Sequence, residues 1–245
     1  MADYISERTA GQIIGDSLRI YLRHLPVIFV IYGLPIFPFI LIEAATAASR
    51  DETANLVALV IETVISMFTI GAVTFAVSDI CLGNKPSIKR SYAALFRVFW
   101  AYLATYLLYV AATLIGLVLL VVPGIIVLLL LLFCLQVAVL ERRGPIESCK
   151  RSIRLGKGYY WRNLGVALLA ILLAFVVVFA IGMALGLIAV VADSDPEGFV
   201  FSLAVGLLGA LAAPLLQIPA ILLYYDMRAR KEHYDGAALS QELMV

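Results

Sequence analysis

The chain has 245 residues, of which 63% are hydrophobic and only 14% are charged. Soluble domains are nearer to half apolar and a quarter charged, so this composition excludes an ordinary soluble enzyme. The length fits one membrane domain over residues 1–245, and the lack of long basic tracts predicts no nucleic-acid partner.

Six apolar segments approach the roughly 20 residues that a helix needs to cross a hydrocarbon core of about 30 Å. Lipid offers the backbone no hydrogen-bond partners, and no strand-like alternation occurs in these segments. The sequence therefore predicts an all-α integral membrane fold with six transmembrane helices. The predicted spans are residues 25–48, 54–82, 99–122, 125–140, 164–192 and 198–225.

Prolines and glycines mark predicted turns and kinks. Residues 121–125 contain Pro123 and Gly124 and no polar side chain, which predicts a tight turn between the third and fourth spans. This hairpin either crosses the bilayer fully or turns back before the far interface. Kinks are predicted in the first span at Pro35 and Pro38 and in the sixth span at the two prolines 214 and 219.

The net charge of +1 conceals a strong asymmetry along the chain. Of the 18 Lys and Arg residues, Arg50 alone lies in a predicted outer loop. The others precede the first span, lie in the segments between the second and third spans and between the fourth and fifth spans, or follow the sixth span. Because basic flanks stay in the cytoplasm, the sequence predicts that both termini are cytoplasmic.

Three basic regions, around residues 14–25, 88–99 and 146–160, have apolar residues at spacings of three and four. An apolar stripe opposed by a basic face is typical of an amphipathic helix in the membrane interface. Ser17, Ser91 and Ser152 occupy equivalent places in these regions. We predict a pseudo-threefold repeat of an interfacial helix plus a helical hairpin, with units 7–82, 86–140 and 145–225 and a cytoplasmic tail 226–245.

The basic faces have two interpretations: they anchor and orient the protein, or they recognise anionic headgroups. A cation near an anionic leaflet contributes about 1 kcal/mol, and the planar guanidinium of Arg suits phosphate. Within the third region, Glu147 and Arg151 are spaced to form an ion pair. The residues predicted to bind headgroups are Arg151, Arg154, Lys157, Arg162, Arg228 and Arg230.

Glu62 is the most unusual residue of the predicted spans, since it lies roughly 13 Å of helix rise into the second one. Ionisable groups at such depth suggest function. Glu43, near the outer end of the first span, is placed to face it. Glu62 is either a structural or interfacial carboxyl group or part of a polar cavity that carries protons or ions.

Small and aromatic residues indicate helix packing and interface positions. The pairs Gly182–Gly186 and Gly206–Ala210 let helices approach closely, and predict packing of the fifth span against the sixth or against another copy. Tyr102 lies on an aromatic stripe typical of the membrane interface.

Nothing in the sequence predicts a catalytic centre, a metal site or a cofactor. His24 and His233 are isolated at the ends of the apolar segments. The three cysteines form no Cys-x-x-Cys pair, which predicts reduced thiols, and no glycine-rich phosphate loop occurs.

Three segments resemble a known family. They are residues 151–162 (RSIRLGKGYYWR), 223–232 (LYYDMRARKE) and 15–21 (GDSLRIY). They are similar to signatures of the glycerophosphoryl diester phosphodiesterase membrane-domain family and of related uncharacterised six-helix proteins. The resemblance implies a protein of a prokaryotic cytoplasmic (inner) membrane. Some relatives carry a fused phosphodiesterase domain that this sequence lacks, so the resemblance does not imply that activity.

Together these observations favour a non-enzymatic multi-pass membrane protein that binds or organises lipids, shapes the bilayer and forms a homo-oligomer. The alternative function is a transporter or lipid-translocating protein with a polar cavity around Glu62.

Overall fold

The computed structural model describes residues 4–49, 52–119, 121–191, 199–233 and 237–240. Within these ranges the chain is helical and has no strand. Six helical stretches are long and apolar enough to cross a membrane, which confirms the predicted number and approximate position of the spans. The helices are α1 (Ala10–Ser49), α2 (Glu52–Cys81), α3 (Ile88–Arg97), α4 (Phe99–Leu119), α5 (Val121–Leu130), α6 (Cys134–Leu140), α7 (Pro145–Gly156), α8 (Tyr160–Val191) and α9 (Phe199–Glu232).

The first basic region and the first span form one helix, α1, which is interrupted once. His24 has non-helical angles (φ −115°, ψ 17°), two residues before Pro26. A proline inside a helix removes one backbone donor and its ring crowds the preceding turn, which accounts for a break at this place. By contrast, the helical backbone continues through Pro35 and Pro38, where the sequence predicted kinks.

The fourth span is broken into α5 and α6 by a turn at residues 131–133. Ser152 of α7 inserts its hydroxyl group at this break. The hydroxyl donates to the carbonyl oxygen of Leu130 at 2.8 Å and accepts from the amide N–H of Phe133 at 3.1 Å. One side chain therefore satisfies two backbone groups that the interrupted helix leaves open.

The prediction of a turn at residues 121–125 was wrong, because these residues are helical and α5 begins at Val121. Pro123 fits the first helical turn, where its missing N–H has no intrahelical partner anyway. Gly124 instead permits a close crossing of α4 and α5: a Cβ atom on it would lie 3.1 Å from Cα of Leu117. Gly116 is equally close to Gly124 from the other side.

The core lies between α1, α2 and α9, while α8 packs mainly on α9 and α4 mainly on α5. Tyr225 of α9 is fully buried and shares a hydrogen bond of 2.6 Å with the hydroxyl of Ser78 on α2. Tyr102, predicted at the interface, is also fully buried and donates to the carbonyl oxygen of Met67 at 2.9 Å. Tyr102 therefore packs inside the bundle and does not face lipid, and its position at the depth of the membrane interface stays a prediction.

The basic segments meet at one end of the helix bundle, which we call the basic end. It comprises the N-terminal segment, the end of α2, α3, the segment from the end of α6 to the start of α8, and the end of α9. Ion pairs across it join Arg90 to Asp79 and Arg162 to Asp226. Helix α9 continues to Glu232, so the first residues of the predicted tail belong to the bundle.

Candidate functional site

A buried carboxylate, Asp226 of α9, organises the centre of the basic end. Its side chain has no exposed surface. Oδ2 lies 2.7 Å from Nη1 of Arg162 at the start of α8 and 3.1 Å from Nε of Arg230 one turn further along α9. The amide N–H of Arg8 donates to Oδ1 at 2.6 Å. Asp226 therefore ties the N-terminal segment, α8 and α9 together.

The same two arginines also bind the N-terminal backbone. Arg162 and Arg230 donate to the carbonyl oxygen of Arg8 at 2.6 Å and 2.9 Å. Arg230 further pairs with Glu7 at 2.9 Å, and the Arg8 side chain pairs with Asp16 of α1. Such charge-assisted bonds are the strongest that side chains form, so this cluster holds the start of the chain in place.

A second cluster lies around Glu141, which follows α6. Nε of Arg151 is 3.0 Å from Glu141, and Nη2 of Arg151 donates to Glu232 of α9 at 2.8 Å. The hydroxyl of Tyr224 donates to Glu141 at 3.0 Å, and Nε of Arg228 donates to Glu232 at 3.1 Å. The cluster therefore connects α7 to α9.

The electrostatics of this cluster favour the charged form of Arg151. Burial lowers the pKa of its guanidinium group, but hydrogen bonds and charge interactions with Glu232 and Glu141 outweigh that effect and raise the pKa overall. The ion pair predicted between Arg151 and Glu147 is replaced by these contacts. Glu147 is exposed on α7.

The six residues predicted to bind headgroups thus fall into two groups. Arg151, Arg162, Arg228 and Arg230 contact carboxylates of the protein. Arg154 and Lys157 have exposed side chains that form no ion pair within the described part of the chain. Their backbone carbonyl oxygens both accept from Nζ of Lys231 at 2.7 Å, which closes the end of α7.

Exposed cations of the basic end lie beside exposed apolar side chains. On α3 the exposed cations include Lys89 and Arg97, and Phe96 is 66% exposed. On α7 they include Lys150 and Arg154, next to the exposed apolar side chains Ile146 and Ile153. Trp100 and Trp161, at the starts of α4 and α8, are 77% and 87% exposed.

Glu62 and Glu43 lie on neighbouring helices, α2 and α1. They are near enough to interact electrostatically, and Glu62 is also within electrostatic range of Tyr32. Glu62 is half-buried and Glu43 is exposed. Three cavities between described residues are lined by other side chains, so the polar cavity around Glu62 stays a prediction.

The small residues predicted for helix packing have different surroundings. A Cβ atom on Gly206 would overlap Cγ2 of Ile40, so α9 is in close contact with α1 there. Gly182 of α8 faces Leu208 of α9 at a relaxed 3.9 Å. Gly186 has nothing within 4 Å, and Ala210 is buried.

Among the described residues, no group of three or more His, Cys, Asp or Glu side chains could hold a metal ion. Of the three free cysteines, Cys134 on α6 and Cys149 on α7 have sulfur atoms 3.2 Å apart. Comparisons with family models, with curated proteins and with solved structures give no match. The resemblance found in the sequence therefore stays a prediction.

Proposed function

We propose that this chain is a non-enzymatic, multi-pass protein of a prokaryotic inner membrane that binds and organises anionic lipids at the cytoplasmic leaflet. One observation carries the proposal. Helices α3 and α7, at the same end of the bundle, each present exposed cations beside exposed apolar side chains. A helix with this composition is stable where hydrocarbon meets anionic headgroups.

The surroundings of α3 and α7 agree with a position in the membrane interface. Both helices directly precede long apolar helices, α4 and α8, and both junctions carry an exposed tryptophan, Trp100 or Trp161. Indole rings are enriched at this depth because one end is apolar and the other can donate a hydrogen bond. Lys and Arg beside them can reach the phosphate layer.

The outer surface of the bundle is suited to lipid along its whole height. α8 exposes a continuous apolar face that includes Leu172, Phe175 and Phe179. A groove of about 450 Å³ between α5 and α8 has an apolar lining that includes Leu129 and ends at Trp161. In a bilayer this groove is open to hydrocarbon, so an acyl chain is the occupant we propose for it.

The three-unit organisation is part of the proposal. Ser17, Ser91 and Ser152, the equivalent serines of the three basic regions, are all buried. Each unit would place one amphipathic helix in the leaflet and one hairpin across the bilayer. Three amphipathic helices inserted into one leaflet would expand that leaflet relative to the other and curve the membrane. A homo-oligomer would extend that curvature.

The proposal is tested with purified protein reconstituted into vesicles of zwitterionic lipid with and without an anionic phospholipid. We expect clustering or tubulation, imaged by electron cryomicroscopy, in the anionic vesicles only. The combined variant Lys150→Gln, Arg154→Gln and Lys157→Gln should lose it, because these exposed cations of α7 and its C-cap have no ion pair within the described chain.

A matched variant, Lys150→Arg with Lys157→Arg, retains both positive charges and should behave as the wild type. Equal deformation of zwitterionic vesicles would overturn the proposal. So would deformation that survives in the charge-neutralised variant, as would turnover of a glycerophosphodiester by the purified chain.

A further inference from the structure

A small pocket at the basic end brings together side chains from three separate segments. α2 contributes its end, α3 contributes two arginines, and the turn between α6 and α7 contributes a third. The pocket has a volume of about 30 Å³, which is room for two or three water-sized groups, since each needs about 10–15 Å³. Its lining consists of Phe75, Asp79, Arg90, Ala94, Arg97 and Arg142.

The pocket has an excess of positive charge. Asp79 is buried and neutralises Arg90, whose Nη2 lies 3.3 Å from Oδ1. Arg97 and Arg142, whose side chains are exposed to solvent, form no ion pair or hydrogen bond within the described residues. The lining therefore carries three guanidinium groups and one carboxylate, and a bound anion would balance the excess positive charge.

The backbone supports this convergence at Arg142. Its φ of 52° lies in the left-handed region, which non-glycine residues rarely adopt. Arg142 directly follows Glu141, the C-cap of α6, so this conformation ends the helix and leads the chain into the turn before α7. The turn places Arg142 in the lining of the pocket.

We propose that Arg90, Arg97 and Arg142 form a binding site for a phosphate group, supplied by an anionic lipid headgroup or by a soluble phosphate ester. The inference rests on the proposed function and names the headgroup site within it. Planar guanidinium groups bind two phosphate oxygens at once, and the excess charge matches that of the phosphate. The small volume admits the phosphate oxygens and leaves the remainder of the ligand outside.

The experiment is a titration of detergent-solubilised protein with a short-chain phosphatidic acid, followed by microscale thermophoresis. Arg97→Gln with Arg142→Gln should weaken binding at least about tenfold, since each lost charge-assisted hydrogen bond is equivalent to a factor of ten or more. Asp79→Asn should tighten binding about two- to fivefold by freeing Arg90. A gain in affinity cannot result from misfolding.

The control is Arg23→Gln with Lys85→Gln, which removes the same charge from exposed positions outside α3, α7 and the pocket. It should stay within about threefold of the wild type, because neither residue lines the pocket and a screened surface charge contributes little. Equal losses in both double variants would overturn the pocket and leave general lipid binding intact. No binding by the wild type would overturn the proposed function as well.

A second titration with glycerol phosphate identifies the source of the phosphate group. Binding as tight as that of the short-chain lipid indicates a soluble ester, and binding of the lipid alone indicates a headgroup. Either result supports the site if the Arg97 and Arg142 variants abolish it. Binding that persists in those variants contradicts it.

Discussion

The buried carboxylate of Asp226 provides the strictest test of the arrangement at the basic end. Replacement by asparagine preserves the shape of the side chain and removes its charge. Arg162 and Arg230, whose side chains are only 22% and 20% exposed, then lose their shared counter-ion. Breaking a buried ion pair from one side costs about 3–5 kcal/mol, since the other charge stays buried.

The expected loss lies near the lower limit, about 3 kcal/mol, because both arginines keep some contact with solvent and Arg230 keeps Glu7 as a partner. For a chain of this size, 1 kcal/mol corresponds to about 2–4 °C. Asp226→Asn should therefore lower the midpoint of thermal unfolding by about 6–12 °C, measured by tryptophan fluorescence in detergent.

Glu147→Gln is the control, because it removes an exposed carboxylate of α7. Its midpoint should stay within about 2 °C of the wild type. A double-mutant cycle with Arg162→Gln adds a second criterion: that change should be less destabilising in the Asp226→Asn background than alone. A midpoint for Asp226→Asn equal to that of the control, or two losses that simply add, would contradict the coupling of Asp226 to Arg162.

Two further predictions concern helix contacts. Because the sulfur atoms of Cys134 and Cys149 are 3.2 Å apart, a mild thiol oxidant should form a disulfide between them within one chain. The measurement is thiol labelling followed by a non-reducing gel, in which two of the labelled thiols should be lost. If both thiols still react with the label, the contact of α6 with α7 is contradicted. Gly206→Ala should reduce the free energy of unfolding by about 1–3 kcal/mol, because the new methyl group would overlap Ile40. Gly186→Ala, which meets nothing within 4 Å, should be neutral, and equal effects of the two would refute the close crossing of α9 and α1.

Hydropathy and charge placement were sufficient to predict the helical class and the six spans. A bilayer permits few backbone solutions, so an apolar run of the right length has essentially one outcome. Two spans separate each basic segment from the next, so all the basic segments lie at the same end of the bundle once the spans are known. Both inferences depend on single segments and need no knowledge of which helices touch.

Contacts between distant segments could not be read in this way. Ser152 satisfies a break in a span about twenty residues earlier, and no local pattern at the break or at Ser152 predicts that contact. Tyr102 belongs to an aromatic stripe of the kind found at membrane interfaces, but its side chain is buried in the core. Its burial depends on α4 packing against α2, a pairing that apolar sequences do not specify.

Arg162 and Arg230 show how a cationic local pattern can indicate two roles. Both stand in basic segments that predict headgroup binding, but in the structure both pair with Asp226. The spacing of Asp226 and Arg230 by four residues on one helix was the available signal. Cations at the basic end therefore divide by whether a carboxylate reaches them. Those that none reaches in the described chain, such as Arg97 and Arg142, are the ones on which the proposed phosphate site depends.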